Sequence, residues 1–358
     1  MALRDGVLLL DKPAGPTSFQ TVAIARGVLR AAWGGPRPRV GHAGSLDPLA
    51  TGLLVVMVGA ATRLSPWLMG LDKTYRVTAR FGVGTDTLDA DGAVTGRLPV
   101  ACGPEALTAA LARFRGGIDQ VPPAYSALKR DGERLYKLAR QGRELPELAP
   151  RRVRIDRLEL LATRWGVAPD PVDAAPAPAP AAVPSEPGAG PPLPPDRLIY
   201  EADLVVDCTS GTYVRALVRD FAAVLGTLGH VRRLRRERVG PFVVADAVPP
   251  DALRDAAALA GGLRAPAAGV AHLPEARLRA DEARAVRHGA APEPAWLARL
   301  DRAPWEDPKS GDQFFTLLDE SGALAAVVTR RAAGGALRLA AVFAAPVAPA
   351  APGPEGAT

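Results

Sequence analysis

Cysteine and histidine are scarce in this chain, and their scarcity limits the kinds of site that it can build. The 358 residues include only two cysteines, Cys102 and Cys208, which lie far apart and show no CxxC spacing. A disulfide framework or a cysteine zinc site is therefore not expected. The four histidines also lack the spacing of metal ligands, and we expect no structural metal: His42, His230, His272 and His288.

Long apolar runs are also missing. No run approaches the roughly 18 uncharged apolar residues that a membrane span requires. The apolar stretch before Asp11 is too short to act as a signal peptide. Apolar residues nevertheless make up 48% of the chain, which is enough for a sizeable core. The sequence therefore predicts a cytoplasmic protein with one large domain and one smaller domain.

Acidic residues are outnumbered by basic ones, 38 to 44, and the net charge is +6. Most of the basic residues are arginines, which suit bidentate phosphate contacts and stacking on bases. The stretch HVRRLRRERVG, from His230 to Gly240, carries five arginines against one glutamate. This distribution suggests a polyanionic partner, but a solvated charged strand would give the same pattern.

Hydrophobic periodicity predicts alternating strands and helices in the first 250 residues. The continuous apolar run from Leu53 to Val58 predicts a central strand that is buried on both faces. TYRVTARF alternates, which places Tyr75 on the apolar face of a strand. Thr17 and Gln20 have the spacing of a capping box at the start of a helix. The stretch VPPAYSALKRDGERLYKLARQG predicts a short basic amphipathic helix after its prolines.

The rest of the chain predicts a smaller β-rich unit and an insertion. Residues 168–197 are rich in proline and alanine without periodicity, which predicts a disordered insertion between two strands of one domain. Beyond about residue 250, alanine-rich helical segments lead to strands separated by ESG and AGG turns. We therefore expect an α+β fold: a domain over residues 1–250 with a mixed, largely antiparallel sheet flanked by helices, a small β-rich domain over 251–345, and a disordered tail over 346–358.

Four polar motifs fall at turns between these elements, in the order DKPAGPTS, GHAGSLDPLATG, DKTYRV and TSGTYVR. Together they resemble the motif series of the bacterial tRNA pseudouridine synthase B family, which modifies the T-loop uridine of tRNA. The resemblance covers roughly residues 5 to 250, apart from the proline-rich insertion. A single motif of this kind could match by chance, whereas four in the family's order could not. The resemblance implies a synthase that converts uridine 55 of tRNA to pseudouridine.

This reaction breaks a C1′–N1 bond and forms a C1′–C5 bond without net oxidation or hydrolysis, so no cofactor is expected. A carboxylate can form and release a covalent adduct with an electrophilic carbon. The resemblance implies that Asp47 is this nucleophile and that Arg215 pairs with it; attack on C6 of the base and attack on C1′ of the sugar are both open. It also implies that Tyr75 stacks on the target base and assists proton removal from C5. On its pattern alone, Tyr75 would be a core residue.

The same resemblance implies residues that bind the RNA. His42 is expected in the loop of Asp47, where it fills the space left by the flipped nucleotide. Tyr213 and Leu234 are expected to line the uracil pocket. Lys12 is expected chiefly to brace the nucleophile loop, with a phosphate contact as the alternative. Further phosphate contacts are expected from the charged stretch, at Arg232, Arg233, Arg235 and Arg236.

Two larger segments complete the expected RNA interface. Residues 121–145 resemble the family's RNA-gripping insertion, and the C-terminal domain resembles a small PUA-like RNA-binding domain. The expected partner is the T-arm of tRNA, bound by a monomer that has no membrane partner. Two other functions fit the motifs: a tRNA-folding protein without essential catalysis, and a related synthase that acts on ribosomal RNA. Asp47 favours an enzyme, because a carboxylate that faces an anionic ligand opposes binding unless it is used.

Overall fold

The computed structural model describes residues 3–100, 102–126, 129–130, 133–134, 141, 148–165, 200–307, 310–332 and 334–345. The predicted disordered segments over 168–197 and 346–358 lie outside these residues, as does most of the predicted RNA-gripping insertion. Within the described part, no helix is long and apolar enough to cross a membrane.

Seven α-helices lie in the described part of the chain, and α1, α3 and α4 flank the large sheet. Their bounds are α1 (Ser18–Trp33), α2 (Ser65–Met69), α3 (Pro104–Ala112), α4 (Val214–Val224), α5 (Ala256–Gly261), α6 (Pro266–Gly269) and α7 (Ala280–Arg287). Single 3₁₀ segments cover Gly59–Leu64, Val244–Asp246, Pro250–Ala252 and Pro294–Arg299.

Strands account for most of the remaining regular structure. The first ten are β1 (Gly6–Lys12), β2 (Val40–His42), β3 (Thr51–Val58), β4 (Lys73–Phe81), β5 (Val83–Thr85), β6 (Val94–Arg97), β7 (Gly116–Gln120), β8 (Lys129–Arg130), β9 (Glu133–Arg134) and β10 (Arg151–Trp165). The others are β11 (Tyr200–Cys208), β12 (Gly229–Val239), β13 (Phe242–Val243), β14 (Leu263–Arg264), β15 (Glu275–Arg277), β16 (Trp305–Glu306), β17 (Gln313–Leu318), β18 (Leu324–Arg330) and β19 (Arg338–Val342).

The large sheet has the order β14-β1-β3-β12-β4-β11-β10-β7, with β13 paired to β12 and β2 paired to β3. Its pairs are antiparallel except for β3 and β12, which run parallel. The predicted mixed, largely antiparallel sheet is therefore confirmed. The apolar run that predicted a central strand is β3, and its residues from Gly52 to Val58 are all buried.

Local sequence patterns explain how two of these elements form. The predicted capping box is present at α1, where Thr17 Oγ1 accepts from the Gln20 amide at 3.2 Å and Gln20 Oε1 accepts from the Thr17 amide at 2.8 Å. The alternation in β4 places Tyr75 and Phe81 in the core under α4. The opposite face is also largely buried, because Arg80 there is covered and pairs with Glu201 at 3.2 Å.

Two predicted elements need comment. In the basic stretch around residue 130, β8 and β9 pair as an antiparallel hairpin, and most of the predicted basic helix lies outside the described residues. The arginine-rich stretch is β12, which lies in the interior of the sheet between β3 and β4 and is not a solvated strand. Four of its five arginines have partners within the protein, whereas Arg233 is exposed.

The C-terminal part forms the expected small β-rich unit, a second sheet of order β15-β17-β18-β19 with β16 paired to β17. It packs on the first domain through an edge-on contact between Trp67 and Phe314, with ring centroids 5.8 Å apart. The change of sheet comes later than residue 250, because β14 pairs with β1 and Leu263 lies in the same core as Leu8 and Leu10. The segment just beyond residue 250 thus belongs structurally to the large sheet.

Candidate active site

The loop between β2 and β3 carries Asp47 and is fixed by bonds to its backbone. Ser18 Oγ, at the start of α1, accepts from the Leu46 amide at 2.7 Å and donates to the Leu46 carbonyl at 3.0 Å. Gly44 adopts a φ of 99°, which glycine tolerates without strain. Its carbonyl accepts from Arg236 Nη2 at 3.0 Å. A single acid in a glycine-rich turn is therefore held from two neighbouring elements.

Lys12 and Arg236 are structural supports of this loop. Lys12 is fully buried, and its Nζ donates to the carbonyls of Pro13, Pro16 and Pro48 at 2.7, 2.8 and 3.1 Å. Burial lowers the pKa of Lys12 to about 8. Arg236 is equally covered and donates to the Leu53 carbonyl at 2.7 Å. The burial of Arg236 contradicts the phosphate contact expected of it. The burial of Lys12 contradicts the alternative of a phosphate contact and leaves the bracing role that was expected first.

Arg215 holds the Asp47 carboxylate in a two-point ion pair. Its Nη2 donates to Asp47 Oδ1 at 3.0 Å, and its Nε lies 2.9 Å from Asp47 Oδ2. The guanidinium is itself fixed by donation to the carbonyls of Thr87 at 2.6 Å and Tyr125 at 2.8 Å. The Arg215 side chain is 6% exposed, whereas that of Asp47 is 38% exposed. The carboxylate is therefore oriented from behind and open on its front side.

A second carboxylate at this site, Asp89, is absent from the sequence-based predictions. Its Oδ2 lies 3.5 Å from Arg215 Nη1, and its side chain is 6% exposed. Burial raises the pKa of the Asp89 carboxyl, although Thr87 Oγ1 donates to it. The turn-rich GTDTLDADG segment was the available signal, but it contains five aspartates and threonines and does not show which one faces Arg215.

Tyr75, Leu234 and Tyr213 form an apolar wall beside the acid. Tyr75 and Leu234 are buried in one core cluster with Leu46, which adjoins Asp47 in the chain. Burial raises the pKa of the Tyr75 phenol despite a hydrogen bond to Arg236, so the phenol is neutral at physiological pH. Tyr213 is half-buried at the N-cap position of α4, and burial also raises the pKa of its phenol.

The other residues that were predicted to contact RNA lie in strands of the large sheet, and two of the arginines among them pair with acids of the protein. His42 is half-buried at the end of β2, paired with Val56, and so belongs to a strand that precedes the Asp47 loop. Arg232 donates to Glu201 Oε1 at 2.8 Å. Arg235 binds both Asp11 oxygens, at 2.7 and 3.1 Å, and Arg233 is exposed. Within the described residues, no cluster of three or more His, Cys, Asp or Glu side chains could hold a metal ion.

A mixed, largely antiparallel sheet with an arginine-held aspartate beside a buried tyrosine is the architecture of a pseudouridine synthase. The chain matches the model of the TruB family pseudouridylate synthase (N terminal domain) over residues 32–169 and that of the tRNA pseudouridylate synthase B C-terminal domain over residues 215–265. The chain therefore belongs to the TruB family of pseudouridine synthases.

Individual relatives agree with this assignment. The chain is 43% identical to the tRNA pseudouridine synthase B of Mycobacterium sp. (strain KMS), over 82% of this chain and 86% of the relative. It is also 43% identical to the enzyme of that name from Aromatoleum aromaticum (strain DSM 19018 / LMG 30748 / EbN1), over 80% of each chain. Its fold is similar to a chain in a crystal structure of a Cbf5-Nop10-Gar1 complex, with a TM-score of 0.61, 21% identity, and coverage of 96% of this chain and 84% of that one.

Proposed function

We propose that this synthase isomerises one uridine of tRNA, at T-loop position 55, with Asp47 as the nucleophile and the target base flipped out of its stack. The observation that carries the proposal is the paired but accessible Asp47 carboxylate, which is bound at both oxygens by Arg215. A carboxylate that served only to stabilise the fold would not need an exposed front. The names of the relatives supply the substrate class, tRNA.

Arg215 has two tasks in this mechanism. Its positive charge pairs with the Asp47 carboxylate, the group that attacks carbon. Its two bonds also fix the direction of the remaining oxygen lone pairs, so the nucleophile does not have to be oriented at the moment of reaction. Because Arg215 is anchored by the carbonyls of Thr87 and Tyr125, it can hold this geometry before RNA arrives.

Tyr75 supplies a stacking surface for the target base. Its raised pKa keeps the phenol protonated, so Tyr75 is not an anionic base. It can instead assist removal of the C5 proton by accepting a hydrogen bond while Arg236 donates to the same oxygen. Leu234 and Tyr213 border this surface and keep water from a detached uracil, which must stay in place while the C1′–N1 bond breaks and the C1′–C5 bond forms.

The closing steps conserve atoms and need no external reactant. The C1′–N1 bond breaks, the freed base turns, and C5 bonds to C1′ of the ribose; C5 then releases its proton to solvent and N1 takes one up from solvent. The Asp47 carboxylate is released from its adduct unchanged. We propose that His42, at the end of β2, occupies the space of the flipped nucleotide, because a planar ring can replace a base in a stack.

Tritium release tests the proposal. Unmodified tRNA transcripts carrying tritium at C5 of uridine are incubated with the protein without added cofactor, and a matched transcript has cytidine at position 55. We expect release to stop near one equivalent per tRNA with the first transcript and to be absent with the second. Equal release from both would overturn the T-loop assignment. No release from either, with tight binding of both, would favour a tRNA-folding protein.

A further inference from the structure

The segment that leads to the nucleophile loop, from Lys12 to Leu46, contains no aspartate or glutamate. It carries four basic side chains that are exposed or half-buried: Arg26, Arg30, Arg37 and Arg39. Among the residues that the structure describes, none of these four guanidinium groups has a hydrogen-bond or ion-pair partner. This contrasts with Arg232, Arg235 and Arg236 of β12, whose charges are already used inside the protein.

Two of these arginines share one face of α1 with an exposed aromatic ring. Phe19, Ala23, Arg26 and Arg30 follow the spacing i, i+4, i+7, i+11, which aligns side chains along a helix. The buried residues of α1 form a separate stripe that packs on the sheet: Ser18, Thr21, Val22, Ala25 and Leu29. Phe19 is 70% exposed, the highest value among the large apolar side chains of the described residues.

This face begins at the candidate active site. Ser18, the neighbour of Phe19, is the residue that binds the backbone of Leu46 beside Asp47. The Gly15 amide donates to the Pro48 carbonyl at 2.9 Å, which joins the start of the helix to the other side of the same loop. An open groove beside Phe19 is lined by Gly15, Pro16, Gln20, Ala23 and Ile24. A ligand that reaches Asp47 therefore passes close to the first turn of α1.

We propose that the face of α1 defined by Phe19, Arg26 and Arg30 is an RNA-binding surface, on which Phe19 stacks on a base near the target uridine and the arginines contact phosphates. The identity of this RNA as the substrate tRNA rests on the proposed function. An exposed ring in line with cations, in a segment without acids, matches a strand that offers both bases and phosphates. A protein partner would have to present an acidic apolar face to fit the same surface.

The dimensions of the helix suit this role. Phe19 and Arg30 are eleven residues apart, which corresponds to roughly 16 Å along the helix axis. The surface can therefore contact phosphates of more than one nucleotide while its first turn stays against the nucleophile loop. It also adds to the positive charge of β12, where Arg233 is exposed but Arg232 and Arg235 pair with acids of the protein.

Equilibrium binding of a T-arm transcript is measured by filter titration over a range of salt concentrations. This measurement separates the stacking contribution of Phe19 from the ionic contribution of Arg26 and Arg30. Replacing Phe19→Ala should weaken binding roughly fivefold to a hundredfold with an unchanged salt slope, since stacking is not ionic. Phe19→Tyr should retain affinity, whereas Phe19→Leu should not. The double variant Arg26→Ala/Arg30→Ala should reduce the slope of log Kobs against log salt by about 1.4–1.8.

Arg254→Ala is the matched control, because Arg254 is an exposed arginine that lies between Asp251 and Asp255. It should leave both affinity and slope unchanged. The proposal is overturned if Phe19→Ala and the double variant bind like the wild type, or if they lower only self-association in sedimentation experiments. Binding is read without turnover, so a wild type that binds but releases no tritium would refute the proposed function and leave this surface intact.

Discussion

At the residue scale, the site depends on one arginine that serves two carboxylates. Arg215 is nearly covered, pairs with Asp47 on the open side and faces Asp89 on the closed side. Asp89 is only 6% exposed, so we expect it to act through Arg215 and not on the RNA. Because Asp89 stays beside the buried guanidinium, Arg215 keeps an acidic neighbour while Asp47 is used in chemistry.

Replacing Asp89→Asn tests this arrangement. We expect kcat to fall about 10- to 100-fold, equivalent to roughly 1.4–2.8 kcal/mol, because Arg215 loses one of the groups that position it. The Kd for tRNA should stay close to that of the wild type, since Asp89 lies behind the site. Single-turnover rates and filter binding measure the two quantities.

Asp86→Asn provides the control, because Asp86 is an exposed carboxylate of the same turn that forms no ion pair with Arg215. It accepts from the Ala93 amide and the Tyr125 hydroxyl, for which asparagine keeps an acceptor oxygen. It should leave kcat unchanged. An equal loss in both variants, or an Asp89→Asn variant that binds tRNA poorly while kcat is retained, would contradict a positioning role for Asp89.

At the element scale, the pairing of β3 with β12 determines where the nucleophile loop lies. These strands form the parallel pair of the large sheet, with Gly52 opposite Arg236. The approach is close: a Cβ on Gly52 would lie 2.3 Å from the Arg236 carbonyl oxygen, and the φ of Gly52 is 101°. Glycine is therefore required there by backbone conformation and by space, which explains the glycine that ends the GHAGSLDPLATG motif.

The substitution Gly52→Ala should destabilise the protein by roughly 2–6 kcal/mol, from a strained φ together with overpacking against β12. Equilibrium urea unfolding measures the change. Gly27→Ala is a control whose expected effect on stability has the opposite sign, because a Cβ on Gly27 meets no atom within 4 Å. It lies inside α1 and should stabilise by about 0.5–1 kcal/mol. Equal effects of the two substitutions on the free energy of unfolding would show that the paired strands β3 and β12 tolerate a side chain at Gly52.

At the scale of the whole molecule, the two sheets and their connections follow from local patterns only in part. The capping box of α1, the alternation of β4 and the C-terminal strands are each encoded in a short stretch of sequence, and the structure contains all three. The interior position of β12 was not predictable in this way, because a run of five arginines indicates a surface unless their partners are known. Those partners are far away in the chain: Arg235 pairs with Asp11 and Arg232 with Glu201.

The candidate site was likewise predictable only in part. The motifs identified Asp47 and Arg215, but their 3.0 Å contact joins residues 168 positions apart and is created by the packing of α4 against the β2–β3 loop. Asp89 was missed, since several polar residues of one turn are equivalent until the fold selects the one that faces Arg215. Arg236 was expected among the phosphate contacts because sequence does not report that a charged side chain is buried among carbonyls.

Residues 168–197 should be dispensable for the fold. The strands on either side of them are described and form a hairpin, with Trp165 paired to Tyr200. Deleting 168–197 leaves residues 166, 167, 198 and 199 to close it, a length within the roughly 2–5 residues usual for hairpin loops. We expect Tm to change by less than about 2 °C. A version with a Gly/Ser linker of equal length is the control, and a large loss of Tm in both would show that the segment stabilises the domain.

The most direct test of the account compares binding and turnover in Asp47→Asn. The change preserves shape and leaves Arg215 beside Asp89, so the fold and the basic surfaces that hold RNA should be unaffected. We predict a Kd for unmodified tRNA within about threefold of the wild type, a difference of less than roughly 0.7 kcal/mol, and no tritium release above background. Retained turnover would show that Asp47 is not the nucleophile, and lost binding would show that it holds the RNA instead of reacting with it.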